Sequence, residues 1–407
     1  MRRISSGLAV LNAAPNVLVF SPTPTHRAIQ GNRQRVFDMC RAMQSMGAKV
    51  TLLYYATEPV SAKDALMMTA AWDAFEVIFP HTLEHRHSLV RHPAIDDWFD
   101  EEIAAAISRL VSTRHFDVCV VNYVWYSNLL EVLPPNVVRL IDTHDVFGGR
   151  AEKFSEIGLD PAWFHTSVVQ EGAGLDRADY VLAIQDEEAR LLADRTSAQV
   201  VSVGWLSPDD FLPLRKRRAG EPLLVGYLAS ANPFNVASIL NFAAAASNRP
   251  DVLEKIEFRV AGPVCDALRP ISHPFQLCGI VDSVSEFYRN VDVAINPMLG
   301  GTGLKIKSLE AMRYGKPLVA TAEAMTGIAT HHSGHALSSP EAVLEHLLEL
   351  ATRNSLLAGE ASISRDVYRR YREEQLTAFR SLWSGVMASV RSRDGMTARP
   401  DHPEGVA

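Results

Sequence analysis

Cysteine is scarce in this sequence: Cys40, Cys119, Cys265 and Cys278 are the only four in 407 residues. None stands at the short spacing of a metal-binding or redox pair, which argues against a disulfide framework and leaves reduced, buried thiols as the expectation. Positive charge is short as well. Forty Lys and Arg against 47 Asp and Glu give a net charge of -7, so a nucleic-acid partner, which requires a basic face, is not expected. Also missing is any unbroken apolar run of the length a membrane helix needs. The stretch 7–11 behind Arg2 and Arg3 is too short for a signal-peptide core, and Asn12 interrupts it. The expectation is a cytoplasmic protein, at most peripheral to the inner face of a membrane. His85 with His87, and His331, His332 and His335, have neither HExxH spacing nor cysteine partners, so they are read as loop histidines and no metal site is expected.

What remains is ordinary globular composition, 47% hydrophobic and 21% charged, at a length beyond one core. Apolar runs recur as buried strands at 16–20 (NVLVF), 49–55 (KVTLLYY), 117–122 (DVCVVN), 137–142 (VVRLID) and 180–184 (YVLAI), separated by helical patterns. The first of these begins near Asn32, with Val36, Phe37, Cys40 and Met43 on one face and Gly47 at its end. After a polar, proline-bearing stretch the alternation resumes at 223–228 (LLVGYL), then 256–262 (IEFRVAG), 276–281 (QLCGIV), 291–297 (VDVAINP) and 317–321 (PLVAT). The fold class is therefore α/β: two Rossmann-like, doubly wound parallel-sheet domains facing across a cleft. The expected boundaries are a first domain over 1–207, completed by the last helix at about 376–393, a linker over 208–222, a second domain over 223–375, and a disordered tail over 394–407. That last helix is expected to run from about Ile363 to Arg391.

Ligands of open parallel sheets bind beyond the carboxyl ends of the strands. Following 291–297, Gly300, Gly301, Thr302 and Gly303 precede a helix, LKIKSLEAMRY, in which backbone N–H groups and the helix dipole could receive a diphosphate. Lys305 and Lys307 fall in the expected first turn, where cations oppose the dipole unless an anion is bound. Solvated lysines would be the alternative. Glu310 suits a ribose-binding carboxylate, or else a surface one.

The run GGTGLKIKSLEAMRYGKPLVAT resembles the donor-binding segment of the family-four, or group 1, retaining glycosyltransferases with the GT-B fold. The resemblance extends to LLVGYLASANPFNVASILNF, GIVDSVSEFYRNVDVAINPM, SPTPTHRAIQGNRQRVFDM and IDTHDVFGGRAEKF, and so to most of 15–390. It implies that Glu310 contacts ribose, that Gly279 and Val281 lie near the base, and that Gly31 lies in a glycine loop near the diphosphate. It further implies that His144 reaches the transferred sugar from the opposite domain, with Arg150 a weaker companion. A structural histidine paired with Asp142 or Asp145 is the alternative for His144. Two departures stand out. Thr302 occupies the place of the family's first glutamate, and ASANPFN replaces its R-x-x-x-x-KG context, which leaves Lys305 and Lys307 to neutralise the diphosphate.

The implied activity is hexosyl transfer from a nucleoside diphosphate sugar to a glycan, lipid-linked or small-molecule acceptor, with retention of configuration and no cofactor beyond that co-substrate. The 208–222 stretch and the start of the last helix are the candidate hinges of domain closure. Polysaccharide or lipid-linked glycan assembly is the setting such a resemblance suggests. Competing readings are a nucleotide-sugar epimerase on the same scaffold and a non-catalytic nucleotide-sugar-binding subunit. A nicotinamide dehydrogenase is disfavoured because the first βα loop, PTPTHRAIQGN, contains no GxGxxG.

Overall fold

The computed structural model describes residues 14–26, 30–81, 86–156, 158, 164–218, 220–301 and 303–397. Its strands fall into two sheets, each parallel throughout. The seven-stranded sheet consists of β1 (Asn16–Ser21), β2 (Lys49–Tyr55), β3 (Ala74–Ile78), β4 (Val118–Asn122), β5 (Val138–Asp142), β6 (Tyr180–Ala183) and β7 (Gln199–Ser202), in the order β3-β2-β1-β4-β5-β6-β7. The five-stranded sheet consists of β8 (Leu223–Leu228), β9 (Ile256–Ala261), β10 (Phe275–Gly279), β11 (Val293–Asn296) and β12 (Leu318–Ala320), in the order β10-β9-β8-β11-β12. In both, the winding reverses beside the first strand, at β1/β4 and at β8/β11. That is where a doubly wound sheet opens a crevice beyond its carboxyl ends.

Burial follows from the pleat. Leu18 and Phe20 of β1 enter one core while Val17 and Val19 enter the other, so the strand is apolar on both faces, as covered parallel strands must be. β3 was not foreseen: it is an edge strand with a mixed pattern, AFEVI, and only Ile78 buried. An edge position also corrects the expectation for cysteine. Cys40, Cys119 and Cys265 are buried, but Cys278 is exposed, because alternate residues of the edge strand β10 turn to solvent.

The last helix is longer than its periodicity suggests, Leu356–Thr397, so residues 394–397 are helical rather than part of a disordered tail; 398–407 lie outside the described residues. It serves both cores. Val367, Tyr368 and Tyr371 pack with the second lobe, while Phe379, Leu382, Trp383 and Val386 pack with the first. Where the chain crosses between lobes, Gly204 N–H donates to Gln375 Oε1 (2.7 Å), Trp205 N–H to Tyr371 Oη (2.8 Å), and Tyr368 Oη to the Ser207 carbonyl (2.7 Å). The following stretch lacks regular structure but is fastened, with Asp210 and Leu212 N–H donating to the carbonyls of Arg313 and Tyr314 (both 3.0 Å).

Tyr371→Phe leaves the buried Trp205 amide without its acceptor. An unsatisfied donor costs about 1–3 kcal/mol, so a urea titration should show a lower midpoint with an unchanged slope; an unmoved midpoint would show that this crossing does not contribute to stability.

Candidate active site

The second lobe's part of the site is built around one turn. After β11 the chain passes Gly301 (φ 146°) and Gly303 (φ 73°), both in backbone that side chains disfavour, and enters the helix Ile306–Arg313. The helix therefore starts later than expected, with Lys305 as its cap residue and Lys307 inside the first turn. The two lysines differ in use. Lys305 is buried, and its Nζ donates to the carbonyls of Gly301 (2.8 Å) and Gly303 (3.1 Å), with Glu323 at 3.6 Å. It braces the turn, and burial lowers its pKa. Lys307 Nζ donates to Asn235 Oδ1 (2.7 Å), and burial, with Lys305 nearby, lowers its pKa to about 8. Among the described residues no acidic side chain occupies the first turn and none caps it; Ile306 and Ser308 N–H donate to the carbonyls of Leu304 and Lys305 (both 2.9 Å).

One turn further on, Glu310 Oε1 accepts from Tyr288 Oη (3.1 Å), and burial raises its pKa to about 7. It is not a free surface carboxylate. Asn235, from ASANPFN, is positioned in turn by donating to Ser230 O (3.0 Å) and Oγ (3.1 Å). Asn296 at the end of β11 donates to Ser308 Oγ (2.9 Å), which donates to the Ala324 carbonyl (2.6 Å) and ties the helix to the sheet. Thr302 lies outside the described residues.

The first lobe contributes the ends of β4 and β5. Tyr123 (φ 72°) and His144 (φ 61°) are the two non-glycine residues with positive φ among those described, and they stack on each other at 4.2 Å and 18°. Such strain, of order 1–3 kcal/mol per residue, collects at functional sites. Asn122 fixes the chemistry of the histidine. Its Nδ2 donates to the Phe20 carbonyl (2.8 Å), so Oδ1 is left to accept from His144 Nε2–H (2.8 Å). Nδ1 is then the acceptor nitrogen. Burial lowers the imidazole pKa to about 4, so the ring is neutral at physiological pH.

Neither expected carboxylate holds this histidine. Asp142 stands 3.8 Å from Nε2 and is committed to Arg35, whose Nε and Nη2 reach it at 2.7–2.9 Å within a fully buried pair. Asp145 pairs with Arg150 (2.8 Å).

The lobes meet at these groups. A side chain at Gly31, the first residue of the helix Gly31–Ser45, would begin 3.0 Å from Ile306 Cδ1; Gly31 has no positive φ, so it is there for close approach and not for a turn. One at Gly303 would begin 3.8 Å from Asp145 Oδ1 and 4.0 Å from Glu188 Oε1. Asn32 Nδ2 donates to Tyr123 Oη (3.2 Å), which links the Gly31 region to the stacked pair. Gly301, Gly303, Lys305, Lys307 and Glu310 thus share one turn and helix, with Gly31 and the segment following His144 against them. Gly279 (φ 69°), the last residue of β10, and Val281, just past it, stand apart; their chain leads into the helix Val284–Arg289, which carries Tyr288 to Glu310.

Sequence reasoning missed Tyr288, Asn235, Asn122, Tyr123 and Glu188. Only their places just beyond strand ends, or at the start of the helix that follows, could have signalled four of them. Among the described residues, no group of three or more His, Cys, Asp or Glu is arranged to hold a metal ion, and no helix is long and apolar enough to cross a membrane. His85 is not among the described residues.

Residues 223–353 match the family model of Glycosyl transferases group 1. No curated protein matches the sequence. Among solved structures, sucrose-phosphate synthase (tll1590) from Thermosynechococcus elongatus aligns with TM-score 0.68 at 14% identity, over 92% of this chain and all of that one. HepE (Alr3699) from Anabaena, in complex with UDP and glucose, aligns with TM-score 0.63 at 12% identity, over 92% of this chain and 100% of that one. The pneumococcal O-GlcNAc transferase GtfA, in complex with UDP and GlcNAc, aligns with TM-score 0.61 at 10% identity, over 92% and 99%. At such identities the likeness shows the fold, which is GT-B. The chain has GT-B architecture, and residues 223–353 of its second lobe match the Glycosyl transferases group 1 domain.

Proposed function

We propose that the protein moves a sugar from a nucleoside diphosphate sugar, held mainly on the second lobe, to a glycan, lipid-linked or small-molecule acceptor on the first, with retention of configuration and without a metal. The observation that carries this reading is the open amino end of the helix Ile306–Arg313, flanked by Lys307 and Glu310 and faced across the cleft by the segment bearing His144. Departure of the nucleoside diphosphate develops negative charge. The positive end of the helix dipole and Lys307 are placed to receive it in a water-poor cleft. Glu310 accepts hydrogen bonds from ribose hydroxyls, the exchange its bond from Tyr288 already models.

His144 is neutral and presents Nδ1 as an acceptor, so its partner is a hydroxyl of the sugar; it has no proton to give the departing phosphate. With retention, the leaving phosphate takes the acceptor's proton and no protein nucleophile is required. The solved relatives bound to UDP with glucose or GlcNAc support a nucleoside diphosphate as the carrier. We place the protein in the cytoplasm, with at most a peripheral membrane contact and a role in polysaccharide or lipid-linked glycan assembly.

A thermal-shift panel of nucleoside diphosphates and their sugars should reveal a stabilising ligand, since binding to the native state alone raises the melting temperature with ln(1 + [L]/Kd). Glu310→Ala should lose most of that shift; a full shift in the variant would remove the ribose assignment.

Lys307 gives the alkaline dependence. In the ligand-free protein it loses its charge as pH rises through about 8, whereas the diphosphate gains none over that range. Affinity for the diphosphate should therefore fall between pH 7 and pH 9, measured by calorimetry. Lys307→Met should weaken binding about tenfold at pH 7 and reduce the slope, the remainder coming from Glu188, which ionises over the same range; an unreduced slope would assign the titration to other groups.

A further inference from the structure

One buried acidic side chain has no assigned ligand in the account so far. Glu188 lies in the first turn of the helix Asp186–Ala193, just beyond the carboxyl end of β6, and is 4% exposed. Its Oε1 accepts from Gln185 Nε2 at 3.2 Å, while Oε2 is buried and has no hydrogen-bond partner. The adjacent Gln185 Oε1 is buried and unpartnered too. Unsatisfied buried polar atoms cost stability, and a fold keeps them where a ligand completes them.

The opposite lobe stands close to both side chains. The space beside Gly303 is bordered by Asp145 Oδ1 at 3.8 Å and Glu188 Oε1 at 4.0 Å, and a side chain at Gly327 would begin 2.5 Å from Gln185 Oε1. Asp145 is accounted for: it pairs with Arg150 (2.8 Å) and accepts from Val146 N–H (2.9 Å). Glu188 has no cation in contact. Burial, with Asp145 beside it, pushes its pKa up to about 8 against weaker opposing influences from Gln185, Arg35 and Lys305. At neutral pH it is a carboxylic acid, which both donates and accepts.

We infer that the Glu188 carboxyl binds a hydroxyl of the donor's sugar where that sugar lies between the Gly301–Gly303 turn and the first lobe. The inference rests on the donor reading above. A sugar hydroxyl matches the group, because it also donates and accepts; a phosphate there would face two carboxyls and be repelled whenever either ionised. At position 302 the second lobe carries a threonine and not a carboxylate.

The test is calorimetric titration of wild type, Glu188→Ala and Glu188→Gln with UDP, UDP-glucose, UDP-GlcNAc, GDP and GDP-mannose, with no acceptor present. For the nucleotide sugar that wild type binds, Glu188→Ala should lose about tenfold in affinity while the matching nucleoside diphosphate stays within about twofold. Glu188→Gln, whose amide still donates and accepts, should retain most of the sugar affinity. The unchanged diphosphate affinity reports that the variants are folded. Equal losses for nucleotide and nucleotide sugar, or no loss for either, would overturn the inference while leaving the donor reading in place. A wild-type chain that binds none of the five ligands would overturn the donor reading, and this inference with it.

Discussion

A buried ammonium group tied to backbone carbonyls holds the second lobe's side of the cleft in shape. Lys305 takes up the carbonyls of Gly301 and Gly303, and both glycines occupy backbone that a side chain would strain. The turn can then pass into the helix Ile306–Arg313 with that helix's amino end uncapped by any side chain. Exposed N–H groups at a helix start ordinarily attract Ser, Thr, Asp or Asn. Several other helices follow that rule: Ser61, Asp100, Ser167, Asn232, Ser283 and Ser339 each accept from a first-turn amide. Ile306–Arg313 does not, and neither do the two helices that face it from the first lobe, Gly31–Ser45 and Asp186–Ala193.

The first lobe answers with rigidity of a different kind. Arg35 and Asp142 form a fully buried pair below His144, and a third arginine hydrogen bond reaches the Gly204 carbonyl (3.0 Å). Such a pair adds little net stability, since desolvation offsets much of the attraction, but it fixes the strand end from which the strained His144 departs. The stack with Tyr123 and the Asn122 bond then hold the imidazole in one tautomer. Glu171 secures the next segment, accepting from Phe147 N–H (2.7 Å) and pairing with Arg195. Strain of a few kcal/mol in two residues is thus supported from three sides.

Legibility in the sequence followed physical cause. Strands buried on both faces, such as NVLVF and LLVGYL, declare themselves as continuous apolar runs, and the alternation with helices was enough to give two doubly wound sheets. Two edge strands did not, β3 and β7, and on a third, β10, the exposure of Cys278 was not legible: there one face meets water and the pattern dilutes. The glycine turn, Lys307 and Glu310 were visible because they lie within a dozen residues of one another. The division of labour between Lys305 and Lys307 was not, since it depends on where the helix begins, and local propensity does not fix a boundary to within a residue. Asn235, Tyr288 and Glu188 come together only through tertiary contacts that link them to the turn across tens of residues or more, and each is unremarkable in its own segment.

The same desolvation acts in opposite senses on the cleft's acids and bases. It lowers Lys305 and Lys307 while raising Glu188 and Glu310, so each of the four is shifted toward the form that carries no charge. A nucleoside diphosphate bound as proposed would change this balance asymmetrically. Its negative charge would favour the ammonium form of the lysines and discourage ionisation of Glu188, leaving cations for the leaving group and a neutral acid for a hydroxyl. Glu310, tied to Tyr288, is subject to the charge of Lys307, which favours its carboxylate. One physical cause, burial between two lobes, thus leaves neighbouring groups poised to take different charge states when an anion binds, without any of them having to move.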